Sequence, residues 1–322
     1  MFNWGIIGAG RVARRFAEAI GAAPGHHLQT VCSRSLEGAA ALAVGATATD
    51  SLGELLRAQP DFVYIASPNN LHASHIATVQ AAGIPVLCEK PLAATAAAAR
   101  QIGLITQGPP IGVAFQYRHH PAHARARKLV ASGVLGELRL VEVSACLPAL
   151  DVPPWYGDLS VSGGGILPMS GVHRVDLARH IVGQNFDEVT ALVGHFREAI
   201  YDDTAAISAR FTGGALATFL SGLDAPFGDD HISLHGTAGS LRIESTMSQW
   251  WSNAPGPVTL RTADGAVTEI FESVDTYRLQ VEAFPRFVAG EGEFATVSDA
   301  IAVAEFTEAV YVSAAKGRSG RL

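Results

Sequence analysis

Residues 3–20, "NWGIIGAGRVARRFAEAI", begin with a short apolar run, pass through Gly8-Ala9-Gly10-Arg11-Val12-Ala13, and continue as an amphipathic segment to about Ile20. The run at 3–7 predicts a strand and the segment after the glycines a helix. A strand, then G-x-G-x-x-A, then a helix is the arrangement that binds a dinucleotide. Gly8 permits the tight turn, Gly10 lets a pyrophosphate approach the main chain, and Ala13 lets the helix sit close to the strand. The helix N-terminus favours the phosphate charge. Taken alone, the glycines also fit a purely structural turn in an alanine-rich chain. The strand before them and the helix after them favour the dinucleotide.

A second strand is expected at 28–32, about 20 residues on, where an acid commonly reads the ribose. Ser33 and Arg34 stand there instead. A hydroxyl and a guanidinium suit a 2′-phosphate better than a 2′-hydroxyl, so NADP is favoured over NAD. A solvated loop arginine is the other reading of Arg34. Further strands are expected at 62–66, 85–88 and 111–115, with helices at about 73–82 and 95–106. Strands alternating with helices imply a parallel sheet with ligands at the carboxyl ends of its strands. Polar clusters fall at those ends: Ser67-Pro68-Asn69-Asn70-Leu71-His72, Glu89-Lys90-Pro91, and Gln116-Tyr117-Arg118. They add Ser67, Asn69, His72, Glu89, Lys90 and Gln116 to Gly8, Ala9, Gly10, Arg11 and Val12 as candidate cofactor residues. Lys90 also stands as a candidate at the substrate, where an ammonium binds a hydroxyl and favours an oxyanion. A surface lysine is the alternative. His72 and His75, three apart, lack a carboxylate at metal-ligand spacing.

After about residue 120 the pattern changes. Strands are expected at 138–147, 189–196, 205–211, 215–221, 232–236, 240–244, 258–262 and 267–271. Tight turns at Thr212-Gly213-Gly214, Thr237-Ala238-Gly239 and Asp264-Gly265 join several neighbours, which means hairpins and an antiparallel sheet. Helices are expected near 122–132, 171–182, 276–290 and 298–316. The chain therefore reads as α/β: a dinucleotide-binding domain over 1–120, then an α+β domain with a large, mainly antiparallel sheet over 121–322. Residues 163–176, "GGGILPMSGVHRVD", place three glycines before a helix that carries His173 and Asp176 on one face near its start. The glycines are read as a close main-chain approach to a ligand. A buried helix histidine beside a first-turn acid is the alternative for His173 and Asp176.

The 322 residues suffice for two domains with a well-buried core. With 16% charged residues against 48% hydrophobic, the chain must hide surface in a large core or between subunits. The net charge of −7, with no basic run, argues against nucleic acid as a partner. Cys32, Cys88 and Cys146 have neither zinc spacing nor a disulfide framework, which implies a reducing compartment. The first residues are apolar and then basic, the reverse of a secretory signal, and no apolar run reaches membrane-spanning length. The expected setting is the cytoplasm. Strand residues 215–220, Ala-Leu-Ala-Thr-Phe-Leu, are apolar on both faces, so a homo-oligomer paired through the sheet is expected, most simply a twofold dimer.

Together these motifs resemble the glucose-fructose oxidoreductase/inositol dehydrogenase (Gfo/Idh/MocA) family over nearly the whole chain. The resemblance is carried by Gly8–Ala13, Ser67-Pro68-Asn69 with His72, Glu89-Lys90-Pro91, Arg118 and Pro121. It is also carried by Gly163-Gly164-Gly165, Gly171, His173 with Asp176, "HGTAGSLRI" at 235–243 and "YRLQVEAF" at 277–284. It implies an NAD(P)-dependent oxidoreductase that moves a hydride between the nicotinamide and a sugar, polyol or diol-type substrate. Lys90 would match the family's proton-transfer lysine, and His173 the histidine that contacts the reacting oxygen. Asp176 joins them as a candidate catalytic acid. Two departures stand out. Met169 occupies the position of a common aspartate four residues before the histidine, and Tyr156 follows Trp155 where an arginine is common. They keep open a dinucleotide-binding sensor or partner subunit with little turnover, and an NAD-dependent glycoside-cleaving enzyme.

Overall fold

The computed structural model describes residues 1–105, 108–148, 152–196, 201–224, 230–247, 255–317 and 320–321. Thr106, at the end of one expected helix, lies outside the described residues, as do Trp250 and Trp251, aromatic residues that could shape substrate selection. The chain divides into two compact units, Met1–Gln116 with Asp275–Ile301, and Tyr117–Val274 with Ala302–Leu322.

The first unit holds strands β1 (Phe2–Ile7), β2 (His26–Cys32), β3 (Thr47–Thr49), β4 (Phe62–Ile65), β5 (Val86–Cys88) and β6 (Ile111–Val113). They form a parallel sheet in the order β3-β2-β1-β4-β5-β6. Helices α1 (Arg11–Ala22), α2 (Leu36–Leu42), α3 (Leu52–Arg57), α4 (His72–Ala81) and α5 (Ala96–Gly103) connect them. The order reverses between β1 and β4, and the crevice outside the strand ends at such a reversal is where this topology takes a ligand. The sheet is buried on both faces, which is why its strands read as apolar runs rather than alternating ones. Trp4, Phe16, Phe62 and Tyr64 form its centre.

A cut at residue 120 leaves one component out. Helix α9 (Thr276–Val288) belongs to the first unit. Its Tyr277, Val281 and Phe284 share a buried stripe, and the Phe284 ring lies 5.5 Å from Trp4 and 5.2 Å from Phe62. An apolar stripe joins whichever surface it complements, irrespective of distance along the chain.

In the second unit, helix α6 (Pro121–Ala131) and β7 (Leu138–Cys146) are followed by α7 (Leu159–Ser162) and α8 (Val172–Val182). Strands β8 (Phe186–Gly194), β9 (Thr204–Phe211), β10 (Leu216–Gly222), β11 (Asp230–Gly236), β12 (Gly239–Glu244), β13 (Gly256–Thr262), β14 (Gly265–Phe271) and β15 (Gly320–Arg321) complete it. Helix α10 (Val297–Lys316) begins in the first unit and ends in the second. Among the described residues the sheet runs β14-β13-β12-β11-β7-β10-β9-β8-β15, antiparallel except where β10 pairs parallel with β7. Its inner face carries Ile207, Phe211, Ala217 and Phe219, with Phe306 of α10 packed on Phe219 and Phe186. Its outer face alternates with this pattern and keeps Leu140, Leu192, Leu216 and Leu220 exposed. In register, Leu216 lies opposite Leu140, and Leu220, Ala206 and Leu192 line up across β10, β9 and β8.

Candidate functional site

In the first unit the glycine turn sits at the carboxyl end of β1. Gly8 has φ +112°, and a Cβ there would lie 2.4 Å from the carbonyl oxygen of Ala66 at the end of β4. Only glycine lets the two central strands end this close together. At Gly10 an added Cβ meets no atom within 4 Å, so the main chain faces open space. Gly10 caps α1 with no side-chain hydrogen bond, at the end of the helix that favours an anion. Arg11 is exposed, and Ala9 and Val12 are half-buried.

The loop after β2 lies beside this turn. A Cβ on Gly38 would sit 3.4 Å from Ser33 Oγ and 3.8 Å from Ala9 Cβ. Arg34 is exposed there, while Ser35 caps α2 by accepting from the Gly38 N–H. Gln116, by contrast, is buried, and its Oε1 has no hydrogen-bond partner among the described residues. A buried amide oxygen left unmatched needs a donor to offset its desolvation. The open approach at Gly10, the uncapped helix and this oxygen together fit a bound dinucleotide.

Other expected cofactor residues are engaged internally. His72 is fully buried, with Nε2 2.8 Å from the Ser67 carbonyl and Nδ1 3.0 Å from the Pro91 carbonyl. Burial lowers its pKa to about 4, so the ring is neutral at pH 7 and donates to one of the two oxygens at a time. It ties the loop after β4 to the loop after β5. Ser67 Oγ lies 2.9 Å from His75 Nδ1, and Asn69 is buried. Glu89 is also buried. Its Oε1 accepts from the Tyr64 hydroxyl and its Oε2 from the Lys90 main-chain N–H at 3.1 Å. Lys90, directly after β5, is half-buried at the carboxyl edge of the sheet that carries the glycine turn.

In the second unit a π-helical turn, Leu167–Gly171, carries Met169 and leads into α8. Such turns re-aim the residues that follow them. His173 is buried, its ring edge-on to Tyr117 at 4.9 Å. Asp176 is bound bidentately by Arg118, at 2.8 Å from Nε and 2.5 Å from Nη2, and both side chains are nearly inaccessible. The Tyr117 hydroxyl donates to the Met247 carbonyl at 2.9 Å, and His123 lies between the Tyr117 carbonyl and Thr246 Oγ1 at 2.7 Å from each. Residues 117–118 therefore hold α8 at two points, against the ring of His173 and on the carboxylate of Asp176.

Gly164 and Gly165 meet the protein's own chain. A Cβ at Gly165 would fall 2.0 Å from the Asp202 carbonyl oxygen, and one at Gly164 2.0 Å from the Tyr311 hydroxyl. Asp202, wholly buried, accepts from the N–H groups of Gly165 and Ile166 and from the Tyr311 hydroxyl at 2.7–3.1 Å. The expectation that these glycines open the chain to a ligand is corrected at Gly164 and Gly165, whose approach is to Tyr311 and Asp202.

Tyr64, Tyr117, Asp202 and Tyr311 were not singled out in sequence. Tyr64 carried a usable signal, a lone phenol inside the buried strand Phe62–Ile65, because a buried hydroxyl requires a partner. Tyr117 lay in the polar cluster at 116–118, whereas Asp202 and Tyr311 join residues far apart in the chain and carried no local signal.

The fold and the glycine turn define the chain as an oxidoreductase with an NAD-binding Rossmann domain. Residues 2–107 match the model of the oxidoreductase family with an NAD-binding Rossmann fold, and residues 123–242 match the GFO/IDH/MocA C-terminal domain. The chain belongs to the Gfo/Idh/MocA family. It is 30% identical to a 1,5-anhydro-D-fructose reductase of Ensifer adhaerens, across 100% of this chain and 99% of that protein. It is also 30% identical to D-xylose 1-dehydrogenase (NADP(+)) 2 of Haloferax volcanii, across 99% of each chain. Among solved structures, GenD2 from gentamicin A biosynthesis, in complex with NAD, superposes with a TM-score of 0.85. It is 26% identical over 100% of this chain and 96% of that one. Among the described residues no helix is long and apolar enough to cross a membrane.

Proposed function

We propose that this enzyme is an NADP-preferring dehydrogenase or reductase acting on a sugar, polyol or related diol. The observation that carries the reading is Lys90 at the same carboxyl edge of the parallel sheet as the glycine turn that leaves room for a dinucleotide, with β4 between their strands. The names of the relatives support a sugar-type substrate. Gly8, Ala9, Gly10, Arg11 and Val12 would hold the pyrophosphate, Gln116 Oε1 would accept a hydrogen bond from the nicotinamide end, and Ser33 with Arg34 would take the 2′-phosphate. The cofactor supplies hydride transfer when bound. Lys90 moves the proton of the reacting oxygen, and His173 hydrogen-bonds that oxygen. Met169 stands where a carboxylate is common in the family, and Asp176 is engaged by Arg118, so the role proposed for His173 is to hydrogen-bond the substrate oxygen. Asp176 then serves by holding α8.

Absorbance at 340 nm with a panel of aldoses, anhydro-sugars and polyols tests this assignment. Lys90→Ala should lower turnover by about 10²- to 10⁴-fold, with cofactor affinity far less affected. His173→Ala should cost less than Lys90→Ala. Arg34→Ala should erase most of an NADP preference of about 10- to 150-fold. Turnover of no member of the panel would favour the dinucleotide-binding sensor. The exposed leucines of the outer sheet face support pairing with a second copy, and a monomer by light scattering at micromolar concentration would refute that pairing.

A further inference from the structure

Next to Lys90 in the chain, Glu89 forms a buried polar pair with Tyr64. Tyr64, in β4, is wholly inaccessible, and its hydroxyl donates to Glu89. Phe16 of α1 stacks on the phenol ring, centroids 3.6 Å apart and planes 8° from parallel, which fixes the ring's orientation. The other carboxylate oxygen of Glu89 accepts from the Lys90 main-chain N–H. Both oxygens are thus occupied inside the protein.

The groups facing this pair are Tyr64 from β4, Cys88 from β5, Tyr277 from α9 and Lys90 itself, with His72 beyond Pro91. Burial holds the Tyr64 phenol and the Cys88 thiol well above their ordinary pKa values and His72 at about 4, so these three are neutral at pH 7. Burial also raises the Glu89 carboxyl, while the Lys90 charge and the two hydrogen bonds pull it back. Glu89 is the carboxyl group among those named, and the Lys90 charge favours its ionised form.

We infer that the Tyr64–Glu89 pair is a positioning element for Lys90: it fixes the main chain at that residue and supplies the negative charge that sets the basicity of its amine. The inference rests on Lys90 being the proton-transfer residue. A carboxylate close to an ammonium favours the charged form, so neutralising Glu89 makes the Lys90 amine a weaker base.

The sequence has three lysines, Lys90, Lys128 and Lys316. Trace acetylation from neutral to alkaline pH, read peptide by peptide by mass spectrometry, therefore gives the midpoint of each amine in the intact protein. Glu89→Gln should move the Lys90 midpoint about one pH unit lower, and Tyr64→Phe should move it the same way by less. Lys128 and Lys316 should stay in place. The limb of the pH–turnover profile that belongs to Lys90 should move with its midpoint, at unchanged cofactor KM, and Glu89→Asp should restore most of the shift. If Glu89→Gln does not fold, Tyr64→Phe, which keeps the ring, carries the same test. An unmoved Lys90 midpoint together with an inactive Lys90→Ala overturns this inference and leaves the role of Lys90 standing. Near-normal turnover in Lys90→Ala overturns both.

Discussion

At Gly10 an added Cβ meets nothing within 4 Å, whereas at Gly165 it falls 2.0 Å from the carbonyl oxygen of Asp202. Both glycines belong to clusters placed before a helix, and both clusters were read as places where a main chain comes close to a ligand. The first leaves a vacant approach to an uncapped helix N-terminus. The second is filled by its own protein, through the Asp202 carboxylate and the Tyr311 hydroxyl. A glycine reports that something comes close to the chain; it does not report whether that neighbour is a ligand or another stretch of the same molecule.

The largest expected effect comes from closing the second cluster. Gly165→Ala should destabilise the protein by about 4 kcal/mol or more in urea unfolding, because main-chain atoms of Asp202 must move to admit the methyl group. A loss below about 1 kcal/mol would mean that this crowding relaxes, and the contrast with Gly10 would dissolve.

Acid should separate the two units next. In the second, burial lowers His119 and His120 to about 4 and His123 to about 3; in the first, it lowers His72 to about 4 and His26 and His75 less strongly. These folded-state values lie below the unfolded one, so unfolding takes up protons. The stability is fully present above about pH 6.5 and is lost as pH falls toward the folded values. By pH 5 the loss is about 2 kcal/mol for each histidine held at about 4 or below. Hydrogen exchange followed from pH 7 to pH 5 should therefore show protection falling faster in the second unit, and an equal or reversed order would break the prediction.

Gly10→Ala should act on function alone. Cofactor affinity, by fluorescence titration, should fall about 10-fold or more, while the unfolding midpoint of the free protein stays put. A destabilised free protein would show that the space at Gly10 is not open. The smallest effect sharpens the second cluster: Tyr311→Phe removes one hydrogen bond to Asp202 and should lower stability by about 1 kcal/mol.

Much of the first unit was legible because its signals are local. The turn at Gly8–Gly10, the apolar strands and the polar clusters at their ends lie within a few residues of one another, and periodicity locates them. Helix α2, strand β3 and helix α3 were not anticipated; they are short, and residues 36–57 carry no strong apolar period. The hairpins of the second unit were legible from their glycine turns. The parallel pairing of β10 with β7 was not, because it joins segments about 70 residues apart through elements with no common signature.

By itself the sequence determined the order of most strands and helices outside residues 36–57, the dinucleotide turn, and Lys90 and His173 as residues of interest. These follow from backbone preferences and side-chain periodicity, which act over a few residues. Tertiary structure alone decided that α9 packs on the first sheet, that Asp176 is held by Arg118, that Glu89 is engaged by Tyr64, and that Gly165 faces Asp202. Each of these pairs a polar or apolar group with one distant in the chain. Such a partner is selected by which buried group would otherwise be left unmatched, a condition that exists only once the core has formed.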